Sequence, residues 1–594
     1  MARSASAQVA TMPRYPVAPL NKTLERYLKS AKPFLSREER IATEEIVKTF
    51  GRPGGVGELL QEKLNLRAEQ RENWLEEWWI NTAYLEYRDP VVVFSSPGLL
   101  FPPKKFANLD DQLDTAAKLA IAAVSYKALI DNGKIVLETF GKAPLDMSQY
   151  YKIFGTNRHP CKPRDVLAYH PSSKHIIVVF KNNYYKVDVI KNGSALKPAE
   201  LLSALKKIAE VQNEGPRVGL LTSEHRDTWA DIYAELRKDP SNACSLKEIE
   251  ESLFLLCIDS NPIEGHRTEM EAIAANLVHG ACVNSSNRWY DKTIQFIVGK
   301  NCGWGLNYEH SPAEGQAIAR LMDHIIEEME KNCNGGSQSS CQIEPVKLPI
   351  RINNCINDAI KSATNNLVKI TDDLEFNCIH FTDFGKNAIK KLKVSPDSFL
   401  QMAMQYAFYR THKTPGAHYE TGSTRMFMGG RTETIRSCSE ESIRFAQAML
   451  DCNVSEAAKA RALLQAINAH KEYTLLAMSA QGVDRHLLGL RKIAAEEGIT
   501  EGLEIFQDVG WTRSTHMRLS TSQVAAKCDG FMIYGPLVKD GYACCYNPQD
   551  DAIFFGTSAW RSCCETDLLK FGDALQLSLR EMRSVLEKNP KAKL

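Results

Sequence analysis

Thr293-Ile294-Gln295-Phe296-Ile297-Val298, followed beyond a Gly-rich link by Tyr308-Glu309-His310-Ser311-Pro312-Ala313-Glu314-Gly315, is the stretch on which the reading of this chain turns. The first segment, β-branched and aromatic with no charge, has the pattern of a buried strand. The second offers a histidine with an acid four residues on, and Ala317–Lys331 after it has helical spacing. Imidazole titrates near neutrality, so a positioned His can take a proton from a hydroxyl or thiol at pH 7, and a neighbouring carboxylate can hold or polarise it. In a chain with 14 His, the same spacing also describes an ordinary hydrogen-bonded structural pair. The remaining segments have to decide between the two.

At 594 residues the chain exceeds what one hydrophobic core serves, so two domains of roughly 250–300 residues are expected. An apolar share of 44% and a charged share of 24% are those of an ordinary globular protein and exclude disorder as the main state. A net charge of +1 argues against a chain built for nucleic acid or an anionic membrane, while permitting a local basic pocket for a small anion. The 16 Cys form no Cys-x-x-Cys pair and follow no apolar leader, which reads as reduced thiols. Cys544-Cys545 and Cys563-Cys564 are expected to be packing residues. No apolar run approaches the length that spans a bilayer.

Ser36 with Glu39 makes a capping box before the amphipathic Ile41–Phe50, and Gly51–Gly57 separates that helix from one rich in Leu and Glu. Strand signals follow at Val91–Ser95 and in a hairpin, Ile176–Phe180 with Tyr184–Ile190, about Asn182-Asn183. Helical spacing is read at Lys247–Cys257. The low-complexity run Asn332–Ser340, with Pro345 and Pro349 after it, marks a domain boundary. Beyond it helices are expected from Asn354 to about Glu497, then strands at Phe531–Leu537, Tyr542–Tyr546 and Ala552–Gly556, and a final helix. Strands and helices in both halves indicate the α/β class, and there is no internal repeat of fixed short period.

Several segments together resemble the carnitine/choline acyltransferase family: Pro13-Arg14-Tyr15-Pro16-Val17, Glu72-Asn73-Trp74-Leu75 with Glu76-Glu77-Trp78-Trp79, the His310 segment, and Ser520-Thr521-Ser522-Gln523. The likeness runs to the C-terminal helix and leaves out only residues 1–11. It implies two similar domains with mixed β-sheets flanked by helices, a chloramphenicol acetyltransferase-like topology, and an active-site tunnel at the domain interface. Residues 12–66 would be helices packing with the second half, 67–353 the domain carrying His310, and 354–594 the domain carrying the substrate contacts.

The activity implied is reversible transfer of an acetyl or other short acyl group between coenzyme A and the 3-hydroxyl of carnitine. Coenzyme A is a substrate here, and neither a further cofactor nor a metal is expected. His310 matches the general base, and Glu314 has a supporting electrostatic role or a purely architectural one. In an extended segment Ser520 and Ser522 share a side and Thr521 takes the other. By resemblance Ser522 is the donor to the tetrahedral oxyanion, where charge develops.

Arg485, Tyr419 and Thr432 match contacts to the carnitine carboxylate, a partner suited to a guanidinium. Ser520 is placed with them, and Tyr534 is the aromatic candidate near the trimethylammonium. Lys386 and Lys390 match contacts to the 3′-phosphate of coenzyme A, with Asp397, Ser423 and Gln523 as further contacts. Ile389 stands where the family often has Pro. Met532 stands where relatives for longer acyl chains tend to have Gly, so a Met there should close the acyl channel. It also fits as plain core filler.

A medium-chain carnitine enzyme, a choline acetyltransferase and a silent CoA-binding homologue stay open as alternatives. Partners expected are coenzyme A and carnitine with their acylated forms, no nucleic acid, and a monomeric chain. Ala592-Lys593-Leu594 is a variant of the Ser-Lys-Leu peroxisomal address. Arg3, Arg14 and Lys22, with no acid before Glu25, weakly resemble a mitochondrial transit peptide, and Met12 stands just before the family-like start.

Overall fold

A computed structural model describes residues 12–300, 303–331 and 343–590. The low-complexity run 332–340, the N-terminal extension 1–11 and the C-terminal tripeptide lie outside the described residues. Two large mixed sheets organise the rest. The strands are β1 Gly98–Leu100, β2 His175–Phe180, β3 Asn183–Asp188, β4 Leu255–Ile258, β5 Ile294–Val298, β6 Trp304–Tyr308, β7 Val346–Leu348, β8 Leu374–Phe381, β9 His418–Ser423, β10 Thr432–Arg436, β11 Leu519–Gln523, β12 Phe531–Ile533, β13 Tyr542–Pro548 and β14 Ile553–Trp560.

The first sheet runs β7-β3-β2-β4-β5-β6-β1-β12 and the second β8-β14-β13-β11-β9-β10. Each is built on a parallel trio, β2-β4-β5 and β9-β11-β13, whose outer strands both fold back as hairpins. Hairpin, lone central strand, hairpin is thus repeated in the same chain order in both halves. One strand breaks the separation: β12, far along the second half, pairs antiparallel with β1 and closes the edge of the first sheet.

A parallel central strand is covered on both faces and so reads as a continuous apolar run. In β2, Ile176, Val178 and Phe180 enter one core with α1 Leu109–Asp131 and α2 Gly315–Lys331, while Ile177 and Val179 enter another with Trp229 and Trp289. In the second half α3 Lys386–Lys391, α4 Pro396–His412, α5 Glu456–Met478 and α6 Leu568–Lys588 cover one face of the sheet. The N-terminal helices Leu20–Ala31, Arg37–Phe50 and Val56–Gln70 pack Leu24, Tyr27, Leu60 and Leu64 against Leu487 and Leu490 of α7 Asp484–Glu496. The Ser36–Glu39 capping box has both of its hydrogen bonds.

Several local expectations are corrected. Val91–Ser95 is a turn, with Val93 at φ +70° and Ser95 N donating to the Val91 carbonyl, and the strand begins only at Gly98. Three buried valines marked core, and core accepts a turn as readily as a strand. Lys247–Cys257 divides into a helix ending at Glu251 and the buried strand β4, because the run Leu253–Cys257 fits either period. The hairpin turn is Lys181-Asn182, both at positive φ, as a two-residue type I′ turn requires. The helical stretch from Asn354 is interrupted by β8, β9 and β10. β12 stops at Ile533, short of Leu537. Cys544 and Cys545 are core residues, but Cys564 is exposed.

Candidate functional site

The segment after β6 is fixed from both ends. Glu309 is fully buried, with Arg158 Nη1 at 3.1 Å and the Ser311 hydroxyl donating to it, while His310 N donates to the Ser95 carbonyl at 3.1 Å. His310 lies between two aromatic rings, Tyr84 at 5.4 Å and Tyr308 at 5.3 Å. Its Nδ1 is 2.9 Å from the Tyr84 hydroxyl and its Nε2 3.6 Å from Glu314 Oε2. With the proton on Nδ1 and donated to Tyr84, the Nε2 lone pair is free to accept. The side chain keeps 22% exposure, enough to be reached.

Arg431, from just before β10, ties this segment to the second half. Its Nε donates to Glu314 Oε1 at 2.6 Å, and its two Nη atoms donate to the carbonyls of Ser311 and His310 at 2.7 and 3.2 Å. Burial lowers the pKa of His310, with Glu314 opposing and Arg431 assisting, so the imidazole is neutral near pH 7. Burial would raise Glu314, but the adjacent Arg431 guanidinium, by charge and by hydrogen bond, outweighs it and holds the carboxyl below its usual range. The site therefore presents a neutral base beside a fixed carboxylate.

Ser520, Thr521 and Ser522 lie on β11, the middle strand of the second trio. Thr521 faces the helices of that half: its hydroxyl meets His418 Nε2 at 2.7 Å and Gln401 Nε2 at 3.1 Å. Ser522 pairs in register with Cys545, which belongs to the core of the first half, whereas Cys544 beside Thr521 belongs to the core of the second. Alternation thus turns Ser522 toward the seam. Its hydroxyl is half-buried and makes no hydrogen bond to protein among the described residues. Just beyond, Val524 reaches the start of α2, where a Cβ on Gly315 would sit 3.2 Å from Val524 Cγ2 and 2.9 Å from Met532 Cε. Met532 is 3% exposed, with its Sδ 3.7 Å from the Tyr308 hydroxyl.

Arg485 enters from the first turn of α7. Nε donates to the Thr432 carbonyl at 2.9 Å, Nη1 and Nη2 reach Thr434 Oγ1 and Thr432 Oγ1 at 3.3 Å each, and the guanidinium lies 3.6 Å over the Trp79 ring. Three of the five N–H donors of a guanidinium are thereby used and two remain. Tyr419, on β9, pairs in register with Ser520 and is near enough to Arg485 and Tyr84 to affect the ionisation of both. The Tyr534 hydroxyl donates to the Ser520 carbonyl at 3.3 Å. Tyr419, Thr432, Arg485, Ser520 and Tyr534 thus form one patch beside His310.

Lys386 and Lys390 stand one turn apart on α3. Lys386 pairs with Asp550 at 3.1 Å, and Lys390 is exposed. Ile389 between them is fully buried in the core of that half. Asp397 accepts from the Tyr546 hydroxyl at 2.6 Å, Ser423 ends β9 half-buried, and Gln523 is exposed. Asp397, Glu420 and His470 are the metal-type donor cluster found among the described residues, with donor atoms within 4.8 Å. They are engaged with protein: His470 holds Glu420 at 2.6 Å and the Ser398 hydroxyl at 2.9 Å. A separate cavity of about 330 Å³, lined by His266, Arg267, His279 and Arg561, lies away from His310.

Sequence reasoning missed Thr434, Trp79, Tyr84 and Arg431. Thr434 was findable, two residues from Thr432 on one strand face. Trp79 and Tyr84 sit where the helix Glu76–Ile80 passes into a π-helical turn, Asn81–Leu85, which no periodicity announces.

A Choline/Carnitine O-acyltransferase family model matches residues 15–577. A carnitine O-acetyltransferase of Columba livia is 42% identical over 593 residues, covering 98% of this chain and 94% of that protein. The carnitine O-acetyltransferase of Homo sapiens is 41% identical, covering 98% and 95%. The choline O-acetyltransferase of Homo sapiens is 37% identical over 606 residues, covering 98% and 80%. Among solved structures, a trichothecene 15-O-acetyltransferase from Fusarium sporotrichioides overlaps 84% of this chain and 93% of its own at a TM-score of 0.38 and 10% identity, too distant to carry an argument.

Proposed function

Since this chain belongs to the choline/carnitine O-acyltransferase family and is an acyltransferase, we propose that it moves an acetyl or similarly short acyl group reversibly between coenzyme A and the hydroxyl of carnitine. His310 Nε2 takes the hydroxyl proton as the oxygen attacks the thioester carbonyl. The tetrahedral oxyanion accepts from Ser522. Collapse breaks the C–S bond, and the proton on Nε2 passes to the departing sulfur. The reverse reaction exchanges the two nucleophiles, so one base serves both and no covalent enzyme intermediate is needed. Tyr84, Glu314 and Arg431 hold the base.

The observation favouring carnitine over choline is Arg485: a buried guanidinium with two unspent N–H donors suits a carboxylate, which choline lacks. Arg485→Asn should raise KM for carnitine by about 10–100-fold, the worth of a hydrogen bond to a charged group. KM for acetyl-CoA should stay unchanged, because the lost partner is the carnitine carboxylate. Initial rates with each substrate varied in turn decide it. Loss of acetyl-CoA affinity with carnitine affinity retained would overturn the assignment.

The short-chain reading is supported by Met532, wedged between Tyr308 and Gly315. Met532→Gly should raise the ratio of octanoyl to acetyl specificity constants at least tenfold, since each added methylene in an opened apolar channel contributes about 0.8 kcal/mol. Acetyl transfer should survive in the folded variant. An unchanged ratio would make Met532 core filler.

A further inference from the structure

Behind the Arg485 patch lies a second carboxyl. Glu433 is 1% exposed on β10, and among the described residues its oxygens accept from backbone alone: Thr434 N at 2.7 Å and Arg485 N at 3.2–3.3 Å. Gly482 leaves the room it occupies, since a Cβ there would sit 2.4 Å from Glu433 Cγ. The Arg485 guanidinium turns away from it toward Thr432, Thr434 and Trp79. Glu433 thus draws on the Arg485 charge through space, with no side-chain hydrogen bond between them.

The other cations around Glu433 are engaged elsewhere: Arg26 of the N-terminal helix Leu20–Ala31 donates to the Gln481 carbonyl at 2.9 Å, beside Gly482. Asp484, beside Arg485 on α7, is paired with Arg436 of β10 at 2.8 Å. Tyr473 of α5 and Tyr15 of the N-terminal segment face it with buried hydroxyls that have no hydrogen-bond partner, and both stay neutral at physiological pH. One guanidinium would therefore serve two carboxyl groups whenever a carboxylate substrate is bound.

Resting on the carnitine reading above, we propose that Glu433 is the proton-linked counter-charge of Arg485: binding of the substrate carboxylate drives a proton onto Glu433. Two carboxylates sharing one buried cation disfavour double ionisation, and the one out of reach of solvent is the one that neutralises. Burial, with Asp484 adding to it and Arg485 opposing, already pushes the Glu433 carboxyl up to about 7. A nearby anion raises it further. The sign follows: protonated Glu433 favours the bound state, so carnitine affinity is highest below neutrality and weakens as pH rises through and beyond 7. A residue that binds no substrate atom would then set the pH range over which carnitine is held.

The test is isothermal calorimetry of carnitine binding to the intact protein at pH 7, in two buffers of different ionisation enthalpy. A fraction of a proton should be taken up per carnitine, from the share of Glu433 that is ionised before carnitine binds. Carnitinamide, which keeps the cation and hydroxyl but lacks the carboxylate, should take up none. In Glu433→Gln the uptake should vanish and the dissociation constant should no longer climb between pH 6 and pH 8.5. Binding of carnitine by the wild type with no buffer-dependent heat overturns the proposal without any variant, as does uptake that persists in a folded Glu433→Gln. Absence of carnitine binding at every pH would instead remove the carnitine reading, and this inference with it.

Discussion

Replacing His310 with Ala is expected to lower kcat by roughly 10⁴-fold, the upper end of what a general base supplies. Affinity for coenzyme A should be unchanged, because the contacts the family resemblance gives for its 3′-phosphate, Lys386 and Lys390, lie on another element. Glu314, 2.6 Å from Arg431, is held as a carboxylate by that pair and does not take over the proton. Single-turnover rates and calorimetric titration of coenzyme A, run on the same preparation, are the two readings. Parallel loss of both would mean a misfolded protein and would withdraw the role. The wild type carries a companion expectation. Activity needs the unprotonated imidazole, and burial lowers its pKa, so the acidic limb of kcat/KM should fall below about 6.5, the ordinary value for His.

Ser522→Ala is expected to lower kcat by roughly 10²–10³-fold with little change in either KM, the usual cost of losing one donor aimed at an oxyanion. The contrast that makes this informative is Thr521→Ser, which keeps the hydroxyl engaged by His418 and Gln401 and should leave turnover nearly intact. Steady-state kinetics of both variants at saturating substrates give the answer. A change under threefold in Ser522→Ala would remove the oxyanion role from this strand.

What the sequence disclosed and what it hid follow a physical rule. The strand at Ile294–Val298, the helix after Gly315 and the capped helix after Ser36 have strong apolar period or local capping chemistry, and they form where the pattern puts them. β9 and β10 were hidden because Glu420, Ser423, Thr432, Glu433 and Thr434 face polar partners or the site itself, so the two strands that carry it lack the apolar alternation that announces a strand. The roles of His310, Ser522 and Arg485 were carried by resemblance and not by period. Their supporting groups come from segments with no signature: Tyr84 from a π-helical turn, Arg431 from a loop end, Glu433 from between two threonines. Long-range placement is what a linear pattern does not encode.

The donated strand β12 has a consequence for how this chain reaches its native state. Its register sets Gly98 opposite Ile533, residues roughly four hundred apart, so the edge of the first sheet stays open until nearly all of the chain has been made. Loop closure of that size is costly in entropy and slow relative to local pairing. During synthesis the first half would wait with the outer edge of β1 unpaired, a sticky edge that invites association with other chains. The two halves therefore do not mature independently: the late strand that brings Met532 to Tyr308 is also the one that seals the early half against aggregation.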